Sequence, residues 1–135
     1  MISWSNSAMD NERLEQLIEH AATICEGKQG FWRINYREQE MYVITDESHN
    51  RMRVMCPIIE CDSLDEETMG VLLHANFDRA LDAKFAMSQG FLWSVYMHPL
   101  RELTDDQFFD ALDQVKTLAA NYGTSYSSSN LHFGS

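Results

Sequence analysis

Apolar and polar side chains alternate most clearly along residues 51–59, the pattern of a strand with one buried face. Residues 31–36 and 41–45, separated by the polar turn 37–40, predict a hairpin ahead of this strand. Residues 83–88 and 91–98 alternate again, and Gln89 and Gly90 between them predict a second hairpin. In the central strand one face would carry Met52, Val54, Cys56 and Ile58, and the other Arg51, Arg53 and Met55.

Three further segments have the apolar period of an amphipathic helix. The stripe of the first is predicted to run to Cys25 and to end at Gly27, and Gly123 is predicted to close the last. The second, which carries Leu64, Met69, Leu72 and Leu73, ends near Asn76. The predicted start signals are Ser7 or Asp10 for the first helix, Ser63 with Glu66 for the second, and Thr104 with Gln107 for the third.

The element order α-β-β-β-α-β-β-α predicts an α+β fold with a twisted antiparallel sheet packed by helices. A length of 135 residues is typical of one domain. We assign residues 1–123 to that domain and expect the Ser-rich residues 124–135 to form a flexible tail.

The net charge narrows the range of possible partners more than the composition does. The chain has 21 acidic and 10 basic residues, a formal net charge of -11. Such a field repels phosphate backbones and anionic lipids, so we expect neither nucleic acid nor membrane partners. The first ten residues lack the features of a signal peptide, and three cysteines fit reduced thiols better than a disulfide framework, which predicts a cytoplasmic protein.

Few residues suggest catalysis or metal binding. Cys56 and Cys61 with His74 or His98 could form a zinc site or a Cys/His enzyme site, but four residues separate the cysteines and no second ligand pair follows. The chain has no glycine-rich phosphate loop and no HExxH motif. We therefore predict no catalytic residue, no metal and no cofactor, and keep a small Cys/His metal protein or enzyme as the alternative.

The sharper signal lies on the sheet face opposite Val54. Alternation would gather basic and aromatic side chains there, either as a solvated face with cross-strand ion pairs or as a contact surface. The polar amide of Asn76, on the apolar side of the second helix, is predicted to cap that helix in preference to binding a ligand. The candidate partner-binding residues are Arg33, Arg51, Arg53, Met55 and Tyr96, with Lys84 and His98 on the same predicted face.

The chain resembles the type III secretion chaperone-like superfamily, which includes the YbjN-like proteins. The resemblance covers most of the chain and is carried by Leu72-Leu73-His74-Ala75-Asn76, the strands 84–87 and 91–97, and Pro99-Leu100 before an amphipathic last helix. It implies a small acidic cytoplasmic protein, usually homodimeric, that holds a segment of a client protein without catalysis. The alternative within the resemblance is a YbjN-like regulatory protein with no exported client. Candidate dimer-interface residues are Met69, Leu73 and Phe77.

Overall fold

The computed structural model describes residues 8–78 and 80–122. Within them three helices and six strands follow one another, with a short 3-10 turn at Cys61–Ser63 after the fourth strand. The elements are α1 (Asn11–Ala21), β1 (Thr23–Lys28), β2 (Phe31–Tyr36), β3 (Gln39–Asp46), β4 (Arg51–Glu60), α2 (Glu66–Asp78), β5 (Lys84–Ser88), β6 (Phe91–His98) and α3 (Asp105–Asn121).

The strands form one antiparallel sheet in the order β1-β2-β3-β4-β6-β5. The α+β class is confirmed. The predicted element order was wrong in one respect, because the first helix ends at Ala21 and Thr23–Lys28 forms an additional strand. The β-branched pair Thr23 and Ile24 favours a strand, and a register shift between Ile24 and Glu26 interrupts the alternation that would have revealed it.

All three helices contribute to one hydrophobic core on the same face of the sheet, called here the inner face. Its largest fully buried side chains include Trp32 from β2 and Phe108 from α3. Met52, Val54 and Cys56 of β4 point into this core, as the alternation predicts. The buried hydroxyl of Ser94 donates to the carbonyl oxygen of Val115 at 3.0 Å, so the core contains a satisfied polar group between sheet and α3.

Local signals set most element boundaries. Asp10 caps α1, and Thr104 with Gln107 forms the predicted capping box of α3. The prediction for α2 was wrong, because Ser63 lies in the 3-10 turn and the carboxylate of Asp65 accepts from the Thr68 amide instead. Gly123 and the tail 124–135 lie outside the described residues. The two predicted hairpins are confirmed, with positive φ at both turn residues of each (Arg37 and Glu38, Gln89 and Gly90).

Asn76 joins α2 to the edge strand of the sheet. It lies inside the helix and does not cap it: its side-chain amide donates to the Phe85 carbonyl at 3.0 Å, and its oxygen accepts from the Phe85 amide at 2.8 Å. One side chain thus makes the pair of hydrogen bonds that a neighbouring strand residue would make with β5. The Lys84 ammonium donates to the Asn76 carbonyl oxygen at 2.8 Å and reinforces the junction.

We expect Asn76→Ala to lower the free energy of unfolding by about 1–2 kcal/mol, because two hydrogen bonds to Phe85 are lost.

On the same helix Gly70 is exposed and a Cβ added there meets nothing within 4 Å. Gly70→Ala should therefore stabilise the protein by about 1 kcal/mol through helix propensity. Urea unfolding of the two variants measures both shifts. An Asn76→Ala protein as stable as the wild type would show that this junction adds nothing to the fold.

Candidate protein-binding surfaces

The sheet face opposite the core, called here the outer face, carries the residues that alternate with the buried ones. Among the described residues, the buried side chains of the helices belong to the inner core, so the helices cover only one side of the sheet. Phe31, Phe91 and Met97 of the outer face keep 43%, 37% and 52% of their surface exposed. Several large apolar side chains exposed on one face are typical of interaction sites.

Four aromatic side chains form a continuous row across this face, called here the aromatic row. The ring centroids of Phe31 and Tyr42 are 5.9 Å apart, those of Tyr42 and Trp93 6.0 Å, and those of Trp93 and Phe91 6.2 Å. Edge-on and tilted arrangements at these distances are favourable. Tyr42 and Trp93 come from the strands on either side of β4 and meet above it. This explains why Met55, on β4 between them, is only 9% exposed.

The polar groups of Trp93 and Tyr42 in the row make hydrogen bonds within the protein. The Trp93 indole N–H donates to the Ser88 carbonyl at 2.8 Å, and the Tyr42 hydroxyl donates to Glu40 at 3.0 Å. Burial, followed by this bond to the Glu40 carboxylate, raises the pKa of Tyr42 above its usual value. The row is therefore a fixed surface with an apolar top.

The three outer-face arginines differ in their partners. Arg33 contacts Glu26 at 3.3 Å and Glu40 at 3.6 Å, and these carboxylates raise the pKa of its guanidinium, the hydrogen bond to Glu26 having the largest effect. Arg51 and Arg53 are exposed and make no hydrogen bond or ion pair with another described residue. Arg33 has the partners of a solvated ion-pair surface, whereas Arg51 and Arg53 are open to a ligand.

Tyr96 does not share this face. It pairs with Val54 in the sheet register, points into the core and is only 5% exposed, and His98 lies on the same inner side, stacked on its ring. The prediction that placed both on the face of Arg51 and Arg53 was wrong, because β6 pairs with β4 in a register that sets Tyr96 and His98 opposite the inner-face residues Val54 and Met52. A one-residue displacement exchanges the two faces of a strand. Lys84, in contrast, pairs with the outer-face residue Val95 as predicted.

A second apolar surface lies where α2 meets β5. Leu73, Phe77, Leu81 and Met87 are 69%, 89%, 72% and 57% exposed. Beside them is a small, almost wholly apolar pocket of about 120 Å³. It is lined by Leu64, Met69, Leu72, Leu73, Phe85, Ala86, Met87 and Leu92. A pocket of this size and lining suits one apolar side chain.

The cysteines and histidines do not converge. No group of three or more His, Cys, Asp or Glu side chains in residues 8–78 and 80–122 is placed to hold a metal ion. Burial raises the pKa of the Cys56 thiol to about 11, which keeps it protonated and a poor nucleophile at neutral pH. The geometry therefore gives the Cys56 and Cys61 alternative no support.

Solved structures share this architecture over most of the chain. A chain in the crystal structure of the ExsC–ExsE complex superimposes with a TM-score of 0.67 at 17% identity, covering 90% of this chain and 99% of that one. The type III secretion chaperone SycH from Yersinia pestis, solved with a fragment of YscM2, gives 0.57 at 11% identity, covering 82% and 97%. The chain therefore has the fold seen in these solved structures.

The same fold is found in YbjN from E. coli, described as a putative transcription regulator. It gives a TM-score of 0.56 at 12% identity and covers 83% of this chain and 90% of its own. No protein-family model and no curated protein matches the sequence. In residues 8–78 and 80–122 no helix is both long and apolar enough to cross a membrane.

Thiol labelling tests whether the three cysteines are reduced and whether Cys56 is protected from reagents. Alkylation in denaturant without reductant should add three labels, because all three thiols are unpaired. In the native protein exposed Cys25 should react readily, whereas buried Cys56 should stay protected at pH 8, well below its pKa of about 11. Mass spectrometry of the peptides measures both. Rapid labelling of Cys56 in the native protein would show that its thiol becomes exposed to solvent, and Cys56 would again be a candidate reactive group.

Proposed function

We propose that this protein is a non-enzymatic, chaperone-like protein that binds a segment of another protein and acts as a homodimer. The observation that carries the proposal is the placement of its exposed large apolar side chains. Among the described residues they gather at two surfaces, the outer face and the junction of α2 with β5. Two separate surfaces allow one to bind a second copy while the other binds a partner.

Strand addition would suit an extended partner. Both β1 and β5 are edge strands, but Asn76 already binds the main chain of Phe85 in β5, so β1, which is exposed along most of its length, is the more open edge. An added strand takes its affinity from main-chain hydrogen bonds and its specificity from pockets for alternate side chains. Arg33 lies close to β1 through its bond to Glu26, whereas Arg51, Arg53 and Met55 lie further across the outer face, in β4. The unpaired thiols support a reducing compartment such as the cytoplasm.

The α2 surface is suited to a second copy. Met69, Leu73 and Phe77 are four residues apart and lie on one helix face. If two α2 helices cross antiparallel about a two-fold axis near Leu73, Phe77 of each copy meets the apolar pocket of the other. Such an interface is self-complementary, as two-fold symmetry requires.

Sedimentation velocity tests this interface. The wild type should be a dimer at micromolar concentration, and Leu73→Glu/Phe77→Glu should be a monomer with an unchanged circular dichroism spectrum, because charge replaces the apolar contact. The matched control is Thr117→Glu/Ala120→Glu, which adds the same charge at exposed positions of α3 and should remain a dimer. A monomeric wild type, or a dimeric Leu73→Glu/Phe77→Glu protein, would contradict the assignment.

Partner binding is tested by purifying the tagged protein from its native cells and digesting the complex with protease. We expect a partner fragment of constant mass, protected in near-stoichiometric amount because it lies against the chaperone-like surfaces. The absence of any stoichiometric partner would count against the function.

The identity of the partner separates two roles. A protein destined for export would make this chain a secretion chaperone. A partner that stays in the cell would support the YbjN-like regulatory role, which the similarity to YbjN keeps as the second candidate.

A further inference from the structure

One row of the outer face combines apolar and cationic groups. In the sheet register Phe31 lies opposite Ile44, Ile44 opposite Arg53, and Arg53 opposite Met97, so four strands contribute one side chain each. Arg51 lies two residues along β4 on the same face, about 7 Å away by strand geometry. Phe31 and Met97 at the ends of the row are exposed. A guanidinium therefore stands in the middle of an otherwise apolar row.

The carboxylates nearest to these arginines are already engaged. Asp46, opposite Arg51 in the register, accepts hydrogen bonds from Ser48 at 2.7 Å and from the His49 amide at 3.2 Å, and its other oxygen lies 2.8 Å from the His49 ring. These bonds, that from Ser48 first, lower the pKa of Asp46 to about 2. Glu47 accepts from the Asn11 amide at 3.0 Å. The local acids are thus held by other donors.

A shallow hollow of about 680 Å³ opens between these groups and the first turn of α1. It has room for several side chains of a ligand. Its lining combines the two arginines with Ile44, with the hydrogen-bonded carboxylates of Asp46 and Glu47, and with the polar side chains of Asn11, Thr45 and His49. Arginine suits this position because its planar donor fork matches a carboxylate while its stem packs on apolar neighbours.

We propose that this hollow and the adjoining row bind an acidic and apolar segment of a partner protein. A carboxylate of the segment meets Arg51 and Arg53, and a neighbouring large apolar side chain packs on Phe31, Ile44 and Met97. The proposal rests on the proposed partner-binding function and specifies the chemistry of the partner. Nucleic acid, the other common anionic ligand of arginine, carries a charge on every phosphate, so the chain's charge of -11 repels it more strongly than a peptide whose few carboxylates alternate with apolar side chains.

Fluorescence anisotropy with three labelled ten-residue peptides provides the test. The probes alternate Asp with Leu, Lys with Leu, and Asp with Ser. We expect the Asp–Leu peptide to bind the wild type best and to bind Arg51→Glu/Arg53→Glu at least about tenfold more weakly, because like charges then face each other. The Lys–Leu peptide should prefer the Arg51→Glu/Arg53→Glu protein.

Two further variants make the result specific. Arg37→Glu/Lys116→Glu carries the same change of charge away from the hollow, in the β2–β3 turn and on α3, and should bind like the wild type. Arg51→Gln/Arg53→Gln removes the charge without reversing it and should also weaken binding, which provides a reading if the Glu variant fails to fold. Substitutions at exposed positions such as Arg37, Arg51 and Arg53 usually change stability by less than about 0.5 kcal/mol, and Lys116 is partly exposed.

Several results would overturn the proposal. One is an Asp–Leu peptide that fails to bind the wild type or that binds the Arg51 and Arg53 variants equally well. Another is single-stranded RNA that binds more tightly than any peptide and depends on the same arginines. If Arg51→Glu/Arg53→Glu still retains the protease-protected partner from native cells, partner binding stands and this face is not its site. If the wild type itself recovers no partner, the failure belongs to the proposed function.

Discussion

Packing of α3 against the middle of the sheet is the interaction on which the rest of the structure depends. Phe108, Leu112 and Val115 are fully buried, and the helix lies over β4 and β6. Helices α1 and α2 extend the same core toward the two edges of the sheet, at β1 and β5. Because the buried helix residues described here all serve one face, the other face presents its alternate side chains to the surroundings.

This one-sided packing leaves the outer face uncovered by helices, so that its own side chains pack against one another. The aromatic row spans β2, β3 and β6 and shields Met55 beneath it. The aromatic row thus covers part of the outer face, as the helices cover the inner face. Phe31 and Phe91 of the row remain exposed, and in the proposed binding mode the arginines beside the row add charge selectivity. At the β5 edge the Asn76 side chain hydrogen-bonds the carbonyl and the amide of Phe85. These main-chain groups are therefore not free to pair with an added strand. Association at this edge would use the side chains of the adjacent α2 surface.

The sequence predicts the parts of this fold that depend on local signals. The alternation in β4 gives its two faces correctly, and the Thr104 capping box gives the start of α3. Sequence reasoning misses β1, because its exposed, bulged edge strand has no alternation to detect. It misplaces Tyr96 because the pairing of β6 with β4 is a tertiary property that no local pattern encodes.

The candidate surfaces divide in the same way. Arg51, Arg53 and Met55 follow from the β4 pattern, and Leu73 and Phe77 from the apolar richness of α2. The aromatic row could not be predicted, because the contact of Tyr42 with Trp93 across β4 requires the strand order of the sheet. The difference between Arg33 and the other two arginines likewise depends on Glu26, which lies in the strand that sequence reasoning missed.

Hydroxyl-radical footprinting of the partner complex tests most directly whether the outer face is the binding surface. We expect Phe31, Trp93 and Met97 to become protected when the partner is bound, while Phe109 and Tyr122, which lie against the inner core, keep the oxidation rates of the free protein. Protection confined to the helix side, with Met97 and Trp93 oxidised as in the free protein, would contradict it.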